Sequence, residues 1–97
     1  MESKELIDFI NNTEPMFSLR EIKWCDEIDA KLIVEGLDLD QHRWYSIATN
    51  VYECIDGLVG VRGPYQSFSE HQDFSDIGIY CVAGEMIAVP SVTYEWK

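Results

Sequence analysis

The chain of 97 residues carries 18 Asp and Glu against 7 Lys and Arg, a formal net charge of −11 at pH 7, with 46% hydrophobic and 12% aromatic residues. That length suits one domain with one core, spanning residues 1–97, and the apolar content excludes a disordered acidic tail. The charge excludes attraction to DNA, RNA or an anionic membrane face, and no stretch reaches the eighteen or so consecutive apolar residues of a membrane span.

The N-terminus, Met1-Glu2-Ser3-Lys4-Glu5, is acidic and does not read as a signal peptide. The first element is a helix: Ser3 is the expected N-cap, Glu5 stands in the first turn, and Leu6, Ile7, Phe9 and Ile10 form an apolar stripe. Pro15 ends it. Residues 19–28 fit two periodicities. Leu19, Ile22 and Lys23 suit a helix, while Ile22 and Trp24 alternate as in a strand, and the strand is preferred. Residues 31–37 form a further strand, bounded by Gly36 and an Asp38-Leu39-Asp40 turn.

Residues 43–54 are dense in aromatic and β-branched types and read as a strand. Asp56-Gly57 then marks a hairpin, and residues 58–62 return. From Gly63-Pro64 to Ser75 the composition is that of a long surface loop. Strands are expected again over 77–89 and 92–96, interrupted at Pro90. One helix and four or five mostly antiparallel strands make an α+β domain, with the N-terminal helix packed on the sheet because ten residues of helix are marginal alone.

Little in this chain resembles catalytic machinery. Cys25, Cys54 and Cys81 are odd in number and far apart, which argues for free, buried thiols in a reducing cytoplasm rather than a disulfide framework. His42 stands at a strand entrance. His71 lies in the loop with Glu70, Asp73 and Asp76, where Glu70, His71 and Asp73 offer metal ligands but no second His or Cys stands at ligand spacing. The reading is a solvated loop with no metal and no cofactor. Gly57, Gly60 and Gly63 fit turns and bulges better than a phosphate cradle, and no nucleophile motif surrounds any Ser or Cys. A binding protein is expected, not an enzyme.

The acids are the remaining signal. Residues 1–40 hold eleven acids against four bases. Asp26, Glu27, Asp29, Glu35, Asp38 and Asp40 are punctuated only by Lys31. On an extended strand, residues i and i+2 share a face about 6.6 Å apart, close to the step between phosphates. Glu27 with Asp29 and Asp38 with Asp40 have that spacing. These six, joined by Glu70, Asp73 and Asp76, are the expected partner-binding surface. Trp24, Tyr45, Tyr65, Phe68 and Trp96 are available as aromatic contacts, with core packing the expected fate of Trp24 and Tyr45.

The segments His42-Arg43-Trp44-Tyr45, Val51-Tyr52-Glu53-Cys54, Ser75-Asp76-Ile77-Gly78 and Glu85-Met86-Ile87-Ala88-Val89-Pro90 look like those of small proteins carried by phages and prophages. By length, acidity and helix-plus-sheet pattern, the whole chain resembles the phage-encoded anti-CRISPR proteins, above all the DNA-mimicking inhibitors of the type I-F surveillance complex. The resemblance implies a host-directed inhibitor in the host cytoplasm that occupies the target-DNA channel of an RNA-guided complex. Two other readings stand beside it: an acidic phage accessory protein binding some other basic host protein, and a small enzyme or metal protein.

Overall fold

Leu6 and Ile10 are one turn apart and both are buried, so the helix that carries them must lie against a sheet. The computed structural model describes residues 1–12, 16–67, 78–89 and 93–97. Helices α1 (Ser3–Asn12) and α2 (Leu19–Lys23) precede five strands: β1 (Lys31–Gln41), β2 (Tyr45–Cys54), β3 (Gly57–Ser67), β4 (Val82–Val89) and β5 (Thr93–Trp96). The strands form one antiparallel meander in the order β1-β2-β3-β4-β5, with α1 against β3 and β4 and α2 against β3. This is the α+β architecture expected from the sequence. No helix among the described residues is long and apolar enough to cross a membrane.

Several local expectations are corrected. Ser3 is the first helical residue rather than the cap, and the Glu2 carbonyl accepts from the Leu6 N–H at 3.1 Å. The cap comes from outside the helix: the Ser3 backbone N–H donates to Asp56 Oδ1 at 2.7 Å and its hydroxyl to Oδ2 at 3.1 Å. A carboxylate thus meets the positive end of the helix dipole. The Ser3 backbone hydrogen bond is the main reason that the Asp56 carboxyl is held below its usual range.

Residues 19–23 are helix, not strand. The reason is a variant of the capping box: the Ser18 hydroxyl accepts from the Glu21 N–H at 3.3 Å, while the Glu21 carboxylate reaches one residue past the cap to the Phe17 N–H at 3.4 Å. Leu19 and Ile22 then point into the core. Strand β1 does not stop at Leu37 but runs on to Gln41. The residues taken for stop signals are bulges instead, since Gly36 (φ 79°) and Asp38 (φ 51°) turn left-handed and the β1–β2 register shifts three times.

The hairpin is present one residue earlier than Asp56-Gly57. Cys54 pairs with Gly57, so Ile55 and Asp56 are its central residues. Neither has a positive φ. The expected loop from residue 63 is strand β3 as far as Ser67. Pro64 is tolerated because β4 pairs with β3 only as far as Arg62 and the β2–β3 register shifts beside Pro64. Strand β4 begins at Val82 rather than at residue 77, and β5 covers Thr93–Trp96. The expected break at Pro90 and the loop from Phe68 to Ser75, with His71, lie outside the described residues.

The two faces of the sheet differ. Leu6, Ile10, Leu19 and Ile22 from the helices pack with Ala48, Tyr52, Val59 and Val61. On the other face Val51 and Met86 are buried, and the Trp96 ring lies over the middle of the sheet. Gly60 permits this, because a Cβ there would overlap Met86 Sδ and the Trp96 ring. All three cysteines are free, with Cys54 and Cys81 buried and Cys25 partly so.

Leu6 is wholly buried, so Leu6→Ala is expected to lower unfolding free energy by about 2–5 kcal/mol in urea titrations. Burial, reinforced by Glu21, lifts the Cys81 thiol from its ordinary 9.0 to about 12. Burial, then Glu35 and Cys81, lifts the Tyr52 phenol from 10.0 to about 12. Between these values the unfolded chain has released protons that the native state keeps, so stability falls as pH rises above 9 and is fully retained below it. Urea midpoints measured from pH 8 to 11 should show that decline. The Tyr52 hydroxyl is buried and, among the described residues, has no hydrogen-bond partner. Tyr52→Phe should therefore leave stability unchanged or raise it by about 1 kcal/mol, and should remove the part of the decline that begins near pH 10.

Candidate functional site: an acidic sheet edge

Among the described residues, strand β1 is an edge of the sheet, bonded to β2 on one side. Long exposed edges invite pairing with other chains, and bulges prevent it. The three register shifts in β1 serve that role here, and they also decide where its acids point. Six of the nine acids expected at the partner surface lie on this edge or on the segment leading to it, and all six are exposed. Glu70, Asp73 and Asp76 lie outside the described residues.

Asp26 and Glu27 sit at the tip of a turn closed by the Ile28 N–H donating to the Cys25 carbonyl at 3.2 Å. Asp29 follows at 98% side-chain exposure, its carboxylate 4.0 Å from the N-terminal amine. Glu27 and Asp29 are therefore not on a strand, and the two-residue strand spacing does not apply to them. Glu35 opens the acidic part of β1 and pairs with Lys23 of α2 at 3.3 Å. Asp38 and Asp40 are strand residues, not turn residues, but the register shift between Leu37 and Asp40 breaks the regular alternation between them. The acids share an edge without forming an evenly stepped ribbon.

Two of these residues are held from behind. The left-handed turn at Asp38 leaves its backbone carbonyl to accept from Arg62 Nη1 at 3.2 Å. The same Nη1 donates to the Thr49 hydroxyl at 2.9 Å, so Arg62 reaches from β3 across β2 to β1. Asp40 Oδ2 lies 3.1 Å from His42 Nε2. The His42 ring stacks on Tyr45 with centroids 4.8 Å apart, and its backbone N–H donates to the Tyr45 carbonyl at 2.8 Å. Among the described residues, Asp26, Glu27 and Asp38 have no base within ion-pair distance.

The aromatic residues were placed less well by the sequence. Trp24 is not in the core but 67% exposed at the end of α2, with the Arg20 guanidinium 4.6 Å over its ring. Trp44, in the β1–β2 connection, is 51% exposed with Arg43 at 5.0 Å. Leu39 lies on β1 and is 53% exposed. Trp44 was legible in principle, since a connection of three residues between two strands has nothing to cover a tryptophan. Tyr45 is half-buried, its ring on His42 rather than in the core cluster.

No group of three or more His, Cys, Asp or Glu among the described residues is arranged to hold a metal ion. The chemistry this edge offers is electrostatic and aromatic: acceptors for Arg and Lys, set between two tryptophans. The chain matches no family model, no curated protein and no solved structure.

Gly36 has φ +79°, and a Cβ there would stand 3.4 Å from the Tyr65 hydroxyl. Gly36→Ala is expected to cost about 1–2 kcal/mol through backbone strain and to shift amide resonances along β1 more than those of β4, which NMR of the variant would check.

Proposed function

We propose that the protein is a phage-encoded, non-enzymatic inhibitor that acts in the host cytoplasm by binding a basic nucleic-acid channel, that of a type I-F RNA-guided surveillance complex, and excluding target DNA. The observation that carries this reading is the β1 edge and the segment leading to it: exposed carboxylates at Asp26, Glu27 and Asp38 with no base within ion-pair distance among the described residues, and Asp29, Glu35 and Asp40 beside them, on a chain of net charge −11. A channel lined with Lys and Arg draws its affinity from neutralising phosphates. Carboxylates make the same charge-assisted, bidentate bonds with Arg, and the net charge steers the approach.

Trp24 and Trp44 refine the reading. Tryptophan and arginine supply much of the binding energy at protein interfaces, and nucleic acid has no equivalent side chain. The edge thus suits a competitor that holds a basic protein by aromatic anchors as well as by charge. The same tryptophans favour a second reading, in which the partner is another basic host protein and the contact lies outside its nucleic-acid groove.

The test is binding to the purified surveillance complex, with and without target duplex. Wild type and duplex should exclude one another. Simultaneous binding would remove the mimicry reading, and no binding to any such complex, with capture of a different basic protein, would favour the second. Asp38→Lys combined with Asp40→Lys sets like charges against the channel, which costs several kcal/mol; affinity should fall by about a hundredfold or more. Trp24→Ala and Trp44→Ala should each slow nothing in association but speed dissociation. Rising salt should act in opposite senses on the two equilibria. It screens self-repulsion within the −11 chain and raises its thermal midpoint, while weakening the complex.

A further inference from the structure

Helix α2 stands off the β1–β2–β3 corner of the sheet and leaves a cleft of about 560 Å³ between them, within the range of small-molecule sites. Its ionic groups invert the sign of the chain as a whole. Arg20 and Lys23 enter from α2 and Glu35 from β1, giving a local charge of +1 in a protein of net −11. Lys23 is engaged with Glu35 at 3.3 Å. Arg20 has no carboxylate within ion-pair distance among the described residues. It is held instead against the Trp24 ring, which orients the planar guanidinium.

The floor of the cleft supplies an independent observation. Asn50 lines it from β2 and is only 1% exposed. Its Oδ1 accepts from the Gly36 N–H at 3.0 Å, and that donor fixes which way round the amide sits. Nδ2 is then left at the cleft, with no acceptor among the described residues. Nδ2 is not fully enclosed, so an acceptor entering the cleft can pair with it. Tyr65, packed over Gly36, and Leu19 give the walls an apolar part.

We propose that this cleft binds a small organic carboxylate with a flat apolar body, the carboxylate bridging the Arg20 guanidinium and Asn50 Nδ2 and the body lying against Tyr65 and Leu19. A monoanion is favoured over a phosphate dianion because the field of the remaining acids repels each added negative charge. The site is distinct from the acidic surface of the β1 edge, although Glu35 and Trp24 belong to both.

Titration of the full chain with indole-3-acetate, followed by ¹⁵N NMR, tests it. Saturable shifts are expected at the Asn50 side-chain amide, the Arg20 Nε–H and the Trp24 indole. The neutral indole-3-acetamide should bind about tenfold more weakly or worse, the loss expected when a charge-assisted bond is removed. Arg20 is exposed, so Arg20→Gln should fold normally and lose about tenfold in affinity for the acid while leaving the amide unaffected. Lys23→Gln, which leaves Glu35 uncompensated in the cleft, should also weaken the acid. Asp38→Lys with Asp40→Lys should leave it bound, which separates this site from the acidic edge. Equal binding of acid and amide, undiminished binding to Arg20→Gln, or no saturable shift at these groups would overturn the proposal.

Discussion

The fold hangs on one pair of hydrogen bonds. Asn11, in the last turn of α1, donates from Nδ2 to the Ala83 carbonyl at 3.0 Å and accepts at Oδ1 from the Ala83 N–H at 2.8 Å. Ala83 faces Val61 of β3 on one side, but β5 pairs with β4 only from Met86 to Val89. The backbone of Ala83 would therefore be an open sheet edge. A side-chain amide has the donor and acceptor of a peptide group and takes the place of the missing strand. At the other end of α1, Asp56 binds both the N–H and the hydroxyl of Ser3. These two attachments lie 53 and 72 residues away in sequence. A ten-residue helix, marginal by itself, is thus fixed across β3 and β4 at both ends, with Leu6 and Ile10 driven between.

Those attachments explain which parts of the structure were legible from sequence. Apolar spacing depends on local geometry, so the stripe of Leu6 and Ile10 gave α1, and the β-branched density of residues 43–54 gave β2. The hairpin followed from Asp56-Gly57, but its one-residue displacement did not. Turn propensity counts backbone conformations and cannot know that the Asp56 carboxylate is bound to Ser3. The helix at 19–23 was legible and misread: Ser18-Leu19-Arg20-Glu21 is a capping box, a more specific signal than the Ile22 and Trp24 alternation that suggested a strand. Gly36 and Asp38 were misread for a different reason. Gly and Asp with positive φ serve turns and bulges alike, and only the pairing of β1 with β2 selects the bulge.

The candidate site was legible in composition and less so in arrangement. Acid density along residues 26–40 falls on the β1 edge and on the segment leading to it. The even spacing attributed to Glu27 with Asp29 and Asp38 with Asp40 failed, because the first pair lies in a connecting segment and a bulge intervenes in the second. Bulges that keep an exposed edge from pairing also splay its side chains, so the same feature that protects β1 makes its carboxylates irregular. For the inhibitor proposed above, an irregular array would meet its partner through individual Arg and Lys contacts rather than through a uniform phosphate-like step, with the exposed tryptophans as added anchors.

Net charge alone understates how open the acidic edge is, because the placement of the bases matters as much as their number. Of the 7 Lys and Arg, Lys23 and Lys97 pair with carboxylates, Glu35 and Glu85. The arginines do other work: Arg20 and Arg43 lie on the rings of Trp24 and Trp44, and Arg62 binds a hydroxyl and a backbone carbonyl. Each of the three is thereby held off the carboxylates it might otherwise neutralise. Arg62 in particular fixes the backbone that carries Asp38 while leaving the Asp38 side chain to solvent. Since an exposed ion pair contributes little to stability, leaving these acids uncompensated costs the fold little beyond general self-repulsion. It preserves the carboxylates as acceptors and, through Arg20, creates a cleft whose local charge is positive.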